Sequence, residues 1–457
     1  MVVVGRRVRL PGWRRGKLRG RMARWFGAVL AAAVVLAGRA PEARAALRLP
    51  GAVQVAVGQR QRLDLGLPGM VAVRVIGPGA QWLRVDGAPA TRWRQVPAAG
   101  LWLEPQRAGV TTLQLRLFGL VPWRPVRLRA VRVPLVWTGG QSIGVVLHGD
   151  GPLVVRTVPV SQAGGASAAP ASRADLEAGD IVLTAGGRAV HSPQAVARAV
   201  QAAGLAGRSL GLVVLRRGRT QRVRVRPVRS AGGRYRIGAW LVRDGAAGVG
   251  TLTFYQSPTG LYGALGHPVV NTAGRTPQLA APGTLWPTVV SGLVPGRPGR
   301  PGEKVGQLAP GGRPMGSVRS NTPVGVFGRL TTPPVAGLVA GTWPLALVDQ
   351  IHRGGAQLLT VIDGQRVRAY QVDITAVLPQ RRMTSRGFVV RVVDPRLLAE
   401  SGGIVQGMSG SPILQDGRLV GAVTHVFVDD PARGYGVCAC WMASMAGLLS
   451  PTALGAS

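Results

Sequence analysis

The chain has 457 residues, too long for one ordinary domain, and its 46% apolar content excludes wholesale disorder. Its 67 glycines and 35 prolines favour turn-rich β structure over a helical bundle. The net charge of +38 is carried almost entirely by arginine, since Lys17 and Lys304 are the only lysines. The arginines are spread along the chain together with abundant Ala, Gly and Pro. That pattern reads as the imprint of a GC-rich genome; a basic face towards anionic lipid is the alternative. No nucleic-acid reader motif accompanies the charge.

Nine Lys and Arg precede residue 25, and an uncharged run of 14 residues, Trp25 to Gly38, follows. As a helix that run would reach about 21 Å, short of a hydrocarbon core of roughly 30 Å. Ala43-Arg44-Ala45 supplies small residues for cleavage. Residues 1–45 are therefore expected to be a secretory signal peptide, with an N-terminal membrane anchor as the alternative. Either places the rest outside the cytoplasm. Residues 46–132 alternate apolar and polar positions between Gly/Pro turns and predict a small β domain, in which no chemistry is evident.

Residues 135–228 change character. Strand-like runs at Ile143 to Leu147 and Leu153 to Val158 precede Leu176-Glu177-Ala178-Gly179-Asp180-Ile181-Val182 and a Gly186-Gly187 turn. Ser192 as N-cap and Pro193 at the first helical position predict a helix to about Ala203. Two further strands close the unit. This order resembles a PDZ domain. The resemblance implies a peptide C-terminus captured at the loop Gln141, Ser142, Ile143, Gly144 and Val145, with added-strand pairing.

Residues 235–450 return to strands and Gly/Pro loops and carry the chemistry. Gly407-Met408-Ser409-Gly410-Ser411-Pro412 is followed by a hairpin turning at Asp416-Gly417. A serine flanked by glycines can stand clear of a tight turn, and the backbone N–H groups of Gly407 and Ser409 can converge on an oxyanion. The pattern resembles the nucleophile loop of chymotrypsin-like proteases, with Ser409 as nucleophile and Ser411 as its competitor. A serine needs a base. Of five histidines, His267 lies upstream in a Gly-His-Pro context, and His425 in the hairpin is the reserve. For the carboxylate that fixes the base's tautomer, Asp394 at a strand edge is favoured and Asp373 is next. Cys438 and Cys440 share one face of a strand as packed thiols; no disulfide, metal site or cofactor is expected.

Three blocks stand out beyond these: Gly263-Ala264-Leu265-Gly266-His267, Asn321-Thr322-Pro323-Val324-Gly325-Val326-Phe327-Gly328, and Gly402 to Pro412 continuing to Asp429-Asp430-Pro431. On these residues the whole resembles the SpoIVB peptidase family, a PDZ domain joined to a chymotrypsin-like domain. The resemblance implies a mainly β protein ending in a double β-barrel serine endopeptidase, with His267, Asp394 and Ser409 as its triad. It implies action between the two membranes around a forespore, on the regulatory subunit of an intramembrane metalloprotease complex, so that a late mother-cell sigma factor is released. It also implies self-cleavage. After His267 the family's acidic residues are replaced by Pro268-Val269-Val270-Asn271-Thr272.

Overall fold

The computed structural model describes residues 51–454 apart from 64–70, 98–99, 118, 124, 271–281, 310, 335–340 and 381. The signal or anchor segment, residues 1–45, lies outside the described residues. The chain divides into two units, Met1–Arg132 and Val133–Ser457.

In the first unit, two sheets share one core. Alternation along Ala52–Ala56, Val71–Ile76 and Gly109–Leu117 sends Val53, Val55, Val73, Val75, Leu113 and Leu115 inward. The first strand lies parallel to Val126–Val131, and the remaining pairings are antiparallel.

The second unit holds two six-stranded barrels. In the first, strand Ser142–Thr157 pairs with Gly283–Val294, which pairs with Gly316–Thr322. Gly325–Leu330, Leu261–Ala264 and Ala239–Tyr255 follow, and the last closes back on Ser142–Thr157. Ile143, Val145, Leu252, Tyr262, Leu285 and Val326 fill its interior. The second barrel is closed by Gly354–Thr360, Arg368–Val377, Phe388–Val392, Asp430–Cys438, Arg418–Phe427 and Pro412–Gln415. Two antiparallel barrels of this kind are the chymotrypsin-like architecture.

The boundaries 135–228 and 235–450 do not survive in this topology. Strands Ser142–Thr157 and Ala239–Tyr255 pair along nearly their whole length, with a register break between His148 and Pro152. Their near halves belong to the first barrel. Their far halves carry an inserted α/β unit with its own core of Val154, Leu176, Val182, Val196, Val200, Leu212 and Val214. The first barrel therefore begins before the insert and resumes after it. Within the insert, Ser192 accepts from the Ala195 N–H and caps helix Pro193–Leu205. Asp180, fully buried, is held by Arg216 Nε and Nη2 at 2.7 Å each.

The expected peptide-capturing loop is a second correction. Ser142 to Val145 lie in a strand whose two edges are both occupied, by Gly248–Thr251 on one side and Leu285–Pro287 on the other. Gln141 accepts from the Leu252 N–H through its carbonyl. Ile143 and Val145 are fully buried. A peptide adds to a sheet only where an edge is free, so these five residues serve barrel closure.

The cysteines also differ from expectation. The strand ends at Cys438 and the chain turns into helix Ala439–Met445, so Cys440 is helical. Both thiols are buried and free. Burial pushes the Cys438 thiol up.

Candidate active site

Local turn chemistry shapes the nucleophile loop. Asp416 and Gly417 both have positive φ, 48° and 70°, the geometry of a two-residue hairpin turn. That hairpin fixes Pro412, and the chain reaches it through two glycines in the left-handed half of φ space, Gly407 at 89° and Gly410 at 91°. Met408 N–H donates to Val405, Gly410 N–H to Val423 and Ser411 N–H to Met408. The N–H groups of Gly407 and Ser409 have no acceptor among the described residues. Two unspent donors that bracket a serine are what an oxyanion requires.

The two serines separate by burial. Ser411 is fully buried, and its Oγ lies 3.0 Å from Thr360 Oγ1 and 3.3 Å from Thr251 Oγ1. Ser409 is half-buried, and its Oγ donates to the carbonyl of Thr424 at 2.9 Å. Only Ser409 can meet a substrate.

The first barrel grips this loop from behind. Thr251 N–H donates to the Ser409 carbonyl at 2.8 Å, and Thr253 Oγ1 donates to the Gly410 carbonyl at 2.7 Å. A Cβ at Gly410 would lie 2.4 Å from Leu265 N, and one at Gly266 would lie 2.7 Å from Thr424 Cγ2. The segment ending at His267 and the loop bearing Ser409 are thus both packed against Thr424 and its neighbours.

His267 is half-buried. Its Nδ1 is 2.8 Å from the carbonyl of Pro268. A carbonyl only accepts, so Nδ1 carries the proton and Nε2 of the neutral ring is left with its lone pair. Burial lowers the His267 pKa below the ordinary value, against the smaller raising effect of the Pro268 carbonyl. The His425 ring lies beside it, centroids 5.3 Å apart and tilted by 41°. The His425 pKa is lowered by burial first, then by His267 and Arg386.

Asp394 is not brought to His267. Its carboxylate accepts from Arg396 Nε (3.0 Å), Arg396 Nη2 (2.8 Å), Arg396 N–H (3.0 Å) and Gln371 N–H (3.1 Å). It is the N-cap of helix Pro395–Ser401, and the Arg396 guanidinium holds its carboxyl well below the usual range. An Asp-Pro at a strand end signals either a triad carboxylate or a helix cap, and here the cap takes it. Asp373 sits in strand Arg368–Val377, opposite Arg391 and Gly355. Where a carboxylate was expected, His267 Nδ1 meets the backbone carbonyl of Pro268. A backbone group offers no residue-type signal, so sequence reasoning could not have found it. Among the described residues no group of three His, Cys, Asp or Glu could hold a metal ion.

Residues 233–443, the span of the first barrel's return strands and the whole second barrel, match the family model for SpoIVB peptidase S55. The chain carries a SpoIVB-family peptidase domain. It is accordingly a serine peptidase. Among solved structures, the active form of the Rv3671c protease from M. tuberculosis is similar at 17% identity, covering 45% of this chain and 74% of that one, with a TM-score of 0.24. The inactive form of the same protease gives 16% identity, 44% and 84% coverage, and a TM-score of 0.22. At those scores the superpositions carry no argument about the peptidase site. A search of curated protein sequences gave no match.

Proposed function

We propose that this SpoIVB-family domain is a serine endopeptidase in which Ser409 attacks, His267 is the general base, and the N–H groups of Gly407 and Ser409 stabilise the oxyanion. The observation that carries the reading is the loop itself: a half-buried serine hydroxyl beside two backbone donors that have no acceptor among the described residues. In the resting state the hydroxyl donates to Thr424. In the proposed cycle the hydroxyl leaves Thr424 and hydrogen-bonds instead to Nε2 of His267. The base takes the Oγ proton as Oγ bonds to the scissile carbonyl carbon, and the carbonyl oxygen becomes the oxyanion. Collapse expels the amine, which leaves with the proton from Nε2. Water, deprotonated by the same nitrogen, then releases the acyl group and restores Ser409. The Pro268 carbonyl holds the tautomer throughout and supports the transient imidazolium by its dipole.

The biological setting follows the family resemblance. The substrate class is a membrane-associated regulatory protein of an intramembrane metalloprotease, and the chain is also cut near its own N-terminus. The basic run followed by Trp25 to Gly38 supports an extracytoplasmic location, as in the space around a forespore. The inserted unit, PDZ-like in its order of elements, would meet a partner through a surface other than residues 141–145.

The test is labelling by a fluorophosphonate probe. The wild type should be labelled at Ser409, and Ser409→Ala and His267→Ala should not be. Labelling that persists in Ser409→Ala would refute the assignment, and labelling at Ser411 would transfer it.

A further inference from the structure

Lys304 is one of two lysines among 56 basic residues. It lies at the start of strand Glu303–Leu308, which pairs with Gly283–Val294 of the first barrel. Its N–H donates to the Gln406 carbonyl at 2.9 Å, and the Gln406 N–H returns to Gly302 at 2.8 Å. The side chain runs under the nucleophile loop, where a Cβ at Gly407 would lie 3.1 Å from Lys304 Cβ.

The amine enters a buried chain of hydroxyls. Lys304 Nζ donates to Thr360 Oγ1 at 2.8 Å. Ser411 Oγ bridges Thr360 Oγ1 and Thr251 Oγ1. Thr251 Oγ1 donates to the Gly407 carbonyl at 2.9 Å. Lys304 is 5% exposed, and Thr360, Ser411 and Thr251 are fully buried. The chain crosses from one barrel to the other and ends on the loop that bears Ser409.

Peptide planarity turns these contacts into aim. The Gly407 N–H shares a plane with the Gln406 carbonyl, which the Lys304 backbone holds. The next plane carries the Gly407 carbonyl, which the hydroxyl chain holds. The Ser409 N–H shares its plane with the Met408 carbonyl, held by the Ser411 N–H. Both candidate oxyanion donors are thereby pointed by groups behind the loop.

We propose that Lys304 is a positioning residue for the nucleophile loop, acting with Thr360, Ser411 and Thr251 to hold the Gly407 and Ser409 N–H groups on the oxyanion. This rests on the serine-peptidase reading of Ser409. Lysine suits the place. Burial lowers its pKa to about 7, with no opposite charge contributing, and a guanidinium could not shed its proton there. A buried amine held by one hydroxyl and, among the described residues, by no carboxylate is a poor choice for stability alone.

The experiment compares Lys304→Met, Thr360→Val and Thr360→Ser in the full chain. The readouts are fluorophosphonate labelling resolved into probe affinity and maximal rate, thermal melting, and hydrogen exchange of residues 402–415. Lys304→Met should melt no earlier than wild type, yet lose roughly 10- to 100-fold in maximal rate at unchanged probe affinity, with faster exchange in the loop. Thr360→Val should follow it, and Thr360→Ser should restore the rate. A folded Lys304→Met with wild-type rate and wild-type exchange overturns the proposal, as does a rate loss that only tracks the unfolded fraction. If the wild type is not labelled at all, the peptidase reading fails separately. The exchange measurement still decides whether Lys304 holds the loop.

Discussion

Gly410 follows the nucleophile at φ 91°, with no room for a side chain. A Cβ there would lie 2.2 Å from the Thr251 carbonyl oxygen and 2.4 Å from Leu265 N, both backbone atoms of the first barrel. Restoring ordinary contact requires the loop and the Leu265 segment to part by about 1 Å, and a displacement of that size costs on the order of 10²-fold in rate. The left-handed backbone adds about 1–2 kcal/mol and the overpacking about 1–3 kcal/mol. Gly410→Ala should therefore lose roughly 2–5 kcal/mol of stability and most of its labelling, because His267 rides on the displaced segment. Gly417→Ala is the control: its φ is 70° but nothing lies within 4 Å. It should cost only the backbone term and label normally. Urea melts and probe kinetics on the two variants check this. If they melt together and label alike, the claim that Gly410 sets the barrel-to-barrel fit is wrong.

The lowered His267 pKa gives the acid limb of labelling a direction: half-maximal rate should fall below pH 6.5, the ordinary histidine value. The same shift penalises the fold as pH drops through that window, because the unfolded chain protonates first; a labelling midpoint above 6.5 contradicts it. Asp394→Asn should lower the melting temperature, since the helix Pro395–Ser401 loses its charged cap and Arg396 its partner, while the folded fraction keeps its labelling rate. Abolished labelling in a folded Asp394→Asn would restore the aspartate to the triad. Ile143→Asp should unfold the second unit rather than merely weaken peptide binding, since it buries a charge inside the first barrel; a folded variant seen by circular dichroism would argue against barrel closure through that strand.

Much of the site was legible because its determinants are local. Gly407 to Pro412, the Asp416-Gly417 turn and the Ser192 cap each depend on a few adjacent residues with particular φ or side-chain reach, and the structure has each of them where the sequence places it. The resemblance of the loop already places the nucleophile at Ser409 rather than Ser411, and the burial of Ser411 adds a physical reason that no neighbour in sequence reveals. Asp394 could serve a histidine or a helix end equally well by type, and only the position of Arg396 and Gln371 decides between them.

From the sequence alone came a β-rich chain, a serine in a glycine turn and a histidine ahead of it, because turns, caps and alternation are short-range properties of the backbone. The tertiary structure decided which strands are neighbours. Ile143 pairs with Gly250 and Pro287, partners over a hundred residues away, and those pairings turn an expected peptide groove into a barrel wall. They also bring Lys304, unremarkable by its neighbours, beneath the nucleophile loop. Long-range strand pairing is selected by the burial of a whole face at once, and no stretch of a few residues encodes that sum.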